Sequence, residues 1–180
     1  MLKRILLIVG VALFSVGRAR SEDWQASVEI PRLSVSEYHR PYVAMWIQDE
    51  KRKCVANLAV WYQQTRSGEG EGTKWLPDLR QWWRRSGRSL QMPVDGISGA
   101  TRPAGKHELT FDDQDNRFSG LSAGKYSVVV EASREVGGRE LIELPFTWPS
   151  DKPQKLSASG KEELGEITFV IPATESLSQN

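Results

Sequence analysis

Along most of this chain, hydrophobic residues recur at every second position, the spacing of a strand with one face in a core and one in water. Val28 and Ile30 alternate with polar neighbours, and Leu109 and Phe111 alternate with Glu108 and Thr110. Tyr126, Val128, Val130 and Ala132 alternate with Ser127, Val129 and Glu131. Two denser runs, Tyr42 to Gln48 (YVAMWIQ) and Cys54 to Tyr62 (CVANLAVWY), flank the charged turn Asp49 to Lys53. They predict a hairpin whose faces carry Trp46 and Trp61. Gly137-Gly138 predicts a tight hairpin, and Leu141 to Trp148 and Glu166 to Ile171 predict the last strands. About seven short strands separated by turn signals predict an immunoglobulin-like antiparallel β-sandwich. The segment Leu121 to Tyr126 (LSAGKY) adds to this, because it sets a tyrosine after a glycine turn at the opening of a strand. That is where such sandwiches place a corner tyrosine. A small β-barrel satisfies most of the same residues.

One segment breaks the alternation. From Lys74, the stretch KWLPDLRQWWRRSGR sets Leu76, Leu79 and Trp82 or Trp83 at helical spacing, with Arg80, Arg84 and Arg85 on the other side. Pro77 suits a first helical turn and Gly87 a helix end. The pattern predicts a short amphipathic helix inserted between strands. Ser67 to Thr73 (SGEGEGT) reads as a polar loop, and residues 89–106, rich in Gly, Pro and Ser, as another. The organisation expected is a signal peptide over 1–19 and one β-sandwich domain over 20–172, then a flexible tail over 173–180. Within the domain lie a helical insert near 76–86 and a motif loop at 89–106.

The signal peptide rests on Lys3 and Arg4, the apolar run Ile5 to Gly17, and small residues before a cut after Ala19. The run has 13 residues, short of the ~20 of a spanning helix, and no cysteine follows it to carry a lipid. An uncleaved N-terminal anchor is the competing reading. Of 24 basic residues, cleavage removes Lys3, Arg4 and Arg18 and no acid, leaving 21 against 23, a net of −2. That balance argues against a nucleic-acid partner. With 39% hydrophobic and 26% charged residues, the chain is of a soluble globular composition. Cys54 is the single cysteine, which excludes an internal disulfide, a haem attachment site and multi-cysteine metal sites. In its apolar strand it reads as a small core residue. The chain also has seven tryptophans, which a fold of this size must bury, stack or present to a partner.

The chemistry concentrates in Asp95-Gly96-Ile97-Ser98-Gly99-Ala100-Thr101, which satisfies a D-G-x-S-G-A-T pattern at all six specified positions. Gly96 and Gly99 permit positive φ and a close approach of another backbone. Asp95 and Ser98 can bond nearby amides and hold a turn. Thr101 then presents a hydroxyl beside a small alanine. Without an adjacent base that hydroxyl is a weak nucleophile, so the segment suits modification by another protein better than catalysis of its own. Taken alone, it also reads as a Gly-rich surface turn.

The motif resembles the flavinylation motif of FMN-carrying extracytoplasmic redox proteins. That resemblance implies a flavin transferase, using FAD and a divalent metal, which links FMN through a phosphoester to Thr101. Asp95, Gly96, Ser98, Gly99 and Ala100 are then the residues the transferase reads. Residues 25 to 172 resemble a family of predicted periplasmic proteins of unknown function that share the motif, the tryptophan-rich helix and AGKYSVVVEASREVGGRELIELPF. This second resemblance implies association with PepSY-type inner-membrane proteins and electron transfer at that membrane. Trp75, Trp82 and Trp83 upstream, and Arg102, Lys106 and His107 downstream, are the expected neighbours of a flavin ring and its charges. Each tryptophan has packing under the helix as its competing role.

Other signals fail on spacing. Ser98 lacks the second glycine of a hydrolase elbow, and with His39 and His107 as the only histidines no nucleophile and base pair, and no small-molecule substrate, can be named. Asp112, Asp113 and Asp115 begin like a calcium loop, but Gly124 stands where its bidentate glutamate belongs. The chain therefore reads as a periplasmic electron carrier and transferase substrate rather than an enzyme. The reading from a different class is a cofactor-free binding or assembly module that docks a partner through the Trp- and Arg-rich helix.

Overall fold

The computed structural model describes residues 23–64, 71–112 and 115–174, so the expected signal peptide and most of the 67–73 loop lie outside the described residues. Among the described residues, nine strands form two sheets. They are β1 (Trp24–Ile30), β2 (Tyr42–Asp49), β3 (Cys54–Tyr62), β4 (Ser98–Ala100), β5 (Gly105–Phe111), β6 (Gly124–Ser133), β7 (Arg139–Trp148), β8 (Gln154–Ser159) and β9 (Glu166–Ile171). One sheet has the order β5-β1-β9-β8 and the other β4-β3-β2-β6-β7. Every pairing is antiparallel except β3 with β4. This is a mainly β sandwich, as expected, with the immunoglobulin-like corner in place. The Tyr126 hydroxyl donates to Ser122 O at 2.8 Å and accepts from Ser122 N at 3.1 Å.

The dense apolar runs have a simple cause: the five-stranded sheet is buried on both faces. Val43, Met45, Ile47, Trp61, Val128 and Val130 point inward, against Trp24, Val28, Ile167 and Phe169 of the other sheet. Ala44, Trp46, Val60, Tyr62 and Val129 point outward, under a helical insert that contributes Leu76, Leu79 and Trp82. The insert runs from a 3₁₀ segment, Glu71–Asp78, through α1 (Arg80–Arg85) to a 3₁₀ turn, Gly87–Ser89. The helix read from periodicity is thus three short pieces. Its buried set is the one expected, and Arg80, Arg84 and Arg85 face water.

The insert is pinned to the sheet by polar contacts. Leu79, at the N-cap of α1, offers no side-chain acceptor, and the fully buried carboxylate of Glu131 on β6 takes that role. It accepts from Gln81 N at 3.0 Å and Trp82 N at 2.7 Å, and from Arg139 Nε at 2.6 Å. Trp82 Nε1 donates to Asn57 Oδ1 at 2.8 Å. A side chain at Gly87 would sit 2.5 Å from the Trp82 ring, so glycine there admits the tryptophan.

Four local expectations are corrected. Ser98–Ala100 is a strand and not loop, paired in parallel with Val60, Trp61 and Tyr62. Gln154–Ser159 is also a strand, its polar composition reflecting an outer position beside β9. The β6–β7 turn spans five residues, and its left-handed residue is Val136 (φ 54°), not a glycine. Gly137 instead leaves room for Arg134, whose guanidinium would lie 2.3 Å from a Cβ there and is paired with buried Glu163. The chain stays attached past Pro172, since Thr174 N donates to Ser150 O at 2.7 Å, while residues 175–180 lie outside the described set.

Candidate functional site

The motif folds as a turn that feeds an edge strand. Ile97 N and Ser98 N both donate to Val94 O, at 3.3 and 2.9 Å, and Val94 N donates back to Ser98 Oγ at 2.9 Å. Gly96 takes φ 68°, which a Cβ would strain. Arg117 reaches Gly96 O at 3.4 Å and Leu58 O at 3.1 Å, tying the turn to β3. Val60 N then donates to Ile97 O, and Thr101 N donates to Tyr62 O at 3.2 Å, closing the parallel ladder. Gly99 lies against Trp61, where an added Cβ would meet the indole at 3.2 Å. Fold geometry therefore accounts for Gly96, Ser98 and Gly99. Exposed Asp95 and Ala100 and the Thr101 hydroxyl make no side-chain hydrogen bond among the described residues, so the fold does not account for them.

Thr101, the last residue of the motif, lines a cleft of about 350 Å³. Its other walls come from the β1–β2 loop (Tyr38, His39 and Arg40), from Tyr42 and Trp75, and from Glu135 at the β6–β7 turn. Tyr38 is 39% exposed and Trp75 45%, two of the few large hydrophobic side chains the fold leaves in water. Tyr42 donates its hydroxyl to Gly72 O at 3.1 Å, which sets its ring. Burial pushes the Tyr42 phenol above its ordinary value; a backbone bond to Gln63 opposes this, and Glu135 and Asp78 raise it further. It stays a neutral donor at physiological pH. His39 sits between Glu37, at 2.9 Å, and Glu135, at 3.7 Å. Arg40 is the single lysine or arginine in the lining. The cleft therefore sets aromatic surface beside one permanent cation and the carboxylates of Asp78 and Glu135.

Of the side chains expected around a flavin, the fold brings one to Thr101. Trp75 lines the cleft, whereas Trp82 is fully buried against Asn57 and Trp83 packs beside it on α1. Arg102 lies over the Trp61 ring at 5.4 Å, and His107 meets the edge of the same ring and bonds Pro103 O at 2.8 Å. Lys106 faces Glu166 on the outer side of the other sheet. None of these three lines the cleft, because strand alternation turns Lys106 and His107 to the two faces of β5. Sequence reasoning missed Tyr38, Arg40 and Glu135. The signal for the first two was YHRPY (38–42), two aromatics and an arginine beside a proline in a loop. Glu135 joins only through tertiary contact. Cys54 is half-buried at the rim of the outer core, and burial pushes its thiol up.

No described helix is long and apolar enough to cross a membrane, and no three His, Cys, Asp or Glu side chains cluster as metal ligands among the described residues. Residues 23–166 match the family described as predicted periplasmic protein (DUF2271). No curated protein and no solved structure matches the chain.

Proposed function

This chain belongs to the DUF2271 family of predicted periplasmic proteins, and from that premise we propose that it is an electron carrier with FMN attached covalently to Thr101. The observation that carries the reading is the position of the Thr101 hydroxyl. It has no side-chain partner among the described residues, it directly follows the outer strand β4, and it lines a cleft with aromatic walls. The cleft volume of about 350 Å³ falls in the range of small-molecule sites. The residues present therefore fit the group.

Attachment is done to this protein by a flavin transferase. Thr101 Oγ1 attacks the FMN phosphorus of FAD, and an Oγ1–P bond forms. The P–O bond to AMP breaks, AMP leaves, and the hydroxyl proton passes to a base of the transferase. Edge strand β4 suits such an enzyme, because its far side has no strand partner among the described residues and Ala100 is exposed. Bound flavin supplies one- and two-electron redox chemistry. The protein's share is to hold it outside the cytoplasm and exchange electrons with a PepSY-type inner-membrane protein. A leader removed near residue 19 accounts for export. The test is the intact mass of the exported chain co-expressed with a flavin transferase. A gain of one FMN less water, absent in Thr101→Ala, is expected. No gain, with a known substrate modified in the same cells, overturns the reading.

A second reading has its own observation. Arg80, Arg84, Arg85 and Arg88 are exposed and form no ion pair among the described residues, a basic face on an otherwise near-neutral protein. A cofactor-free docking module would use that face. It predicts a colourless protein in every host and loss of partner capture when the four arginines become glutamine.

A further inference from the structure

The cleft beside Thr101 combines aromatic walls with charged ones. Its lining includes two aromatic rings that the fold leaves in water, Tyr38 and Trp75, and a third, Tyr42, whose hydroxyl is committed to Gly72 O at 3.1 Å. Lys74 Nζ lies over the Trp75 ring at 5.3 Å, and aromatic rings left in water beside one cleft offer a planar ligand surface on which to stack. The permanent cation of the lining is Arg40, which has no ion-pair partner among the described residues, and the carboxylates of Asp78 and Glu135 line the same cleft. Arg40 and Tyr38 also border a neighbouring cleft of about 400 Å³ with Arg32, Leu33, Pro103 and Ala104. That second cleft has a single aromatic wall, so it cannot clasp a ring from two sides.

We propose that the Tyr38–Trp75 cleft is a preformed seat for a planar isoalloxazine-type ring, and that Arg40 there receives the ligand's phosphate. This rests on the flavin reading above but adds what that reading leaves open: where the ring lies and which side chains hold it. Trp75 and Tyr38 flank the ring, Tyr42 forms part of its floor, and Arg40 neutralises the anion. The seat exists before attachment, so the chain binds free flavin reversibly. Pre-organised walls lose little entropy on binding, which is what makes such a site effective without the covalent bond.

The probes are riboflavin and FMN, titrated into the exported chain purified from a host without a flavin transferase. Quenching of flavin fluorescence is the readout. Saturable binding of both is expected, with FMN the tighter. Trp75→Ala and Tyr38→Ala should each weaken riboflavin about tenfold, the equivalent of ~1.4 kcal/mol and within what one lost aromatic stack removes. Arg40→Gln should lower FMN affinity about fivefold while leaving riboflavin unchanged, and the difference should shrink at high salt. Tyr38, Trp75 and Arg40 all reach solvent, so these variants fold, and a thermal melt confirms it. Absence of saturable quenching, or a Trp75→Ala chain that binds as wild type does, overturns the proposal. Its failure is separable from that of covalent attachment. Reversible binding without a mass adduct removes the carrier reading and leaves the seat. An adduct as bright in wild type as in Trp75→Ala removes the seat and leaves the carrier.

Discussion

Replacing Glu131 with alanine should loosen the helical insert more than any surface change in it. The carboxylate is fully buried and holds three donors: Gln81 N at 3.0 Å, Trp82 N at 2.7 Å and Arg139 Nε at 2.6 Å. Alanine leaves two amides at the start of α1 without this partner, Trp82 N in a buried place and Gln81 N in a part-buried one. Each such buried donor costs ~1–3 kcal/mol. Arg139 is 33% exposed and rehydrates, so its loss adds little. The sum, about 2–6 kcal/mol, brackets the cost of breaking a buried pair from one side. For a domain of this size that is roughly a 10 °C fall in Tm, at ~2–4 °C per kcal/mol. Glu131→Gln keeps one carbonyl acceptor and the shape, and should lose about half as much. The assay is thermal and urea denaturation followed by tryptophan fluorescence, whose native emission should redden as Trp82 meets water. A Glu131→Ala melt within ~2 °C of wild type, with an unchanged urea slope, would refute the account of how the insert is held. The same variant bears on the site, since the 3₁₀ segment it steadies carries Trp75. Flavin affinity should fall with it.

Gly87→Ala places a methyl 2.5 Å from the Trp82 ring, and should destabilise by about 1–3 kcal/mol, read as a lower urea midpoint. Gly96→Val forces a β-branched residue into φ 68°; it should cost ~1–3 kcal/mol and reduce the FMN adduct measured by intact mass, whereas Ile97→Val should change neither appreciably. Glu140 gives a pH prediction. Burial raises its pKa, but amides of Leu164, Lys161, Glu162 and Glu163 bonded to its carboxylate outweigh that and hold it below the ordinary glutamate value. A folded pKa below the unfolded one gives stability that is complete above the unfolded pKa, about 4.3, and lost as pH falls through the folded one. Stability of wild type should therefore drop more steeply below pH ~4.5 than that of Glu140→Gln, in urea midpoints taken from pH 6 to 3.

Legibility differed by residue. The hairpin expected to carry Trp46 and Trp61 on its faces forms, and the structure sends Trp61 to the inner core and Trp46 to the outer one. Tyr126 was read as a corner tyrosine from LSAGKY, because that role is local, reaching four residues back to Ser122. Arg102, Lys106 and His107 were placed near Thr101 by proximity in sequence, and strand geometry separates them from the cleft. Trp75 and Trp82 were both expected neighbours of a flavin, with packing under the helix as the competing role of each. One is 45% exposed and the other buried, because the chain passes from 3₁₀ to α between them and changes the face each presents.

By itself the sequence determined the class of fold, the buried face of the insert and the segment proposed to carry the flavin. Each is written in local periodicity or in contiguous residues, which short-range sterics and burial translate directly. Tertiary structure decided what surrounds Thr101. Ser98–Ala100 became a strand only because β3 offered it an edge, and the cleft drew its walls from residues 38–42, 75, 101 and 135. Positions so far apart meet through the pairing of sheets and the docking of the insert, and no local pattern records contacts made at that distance.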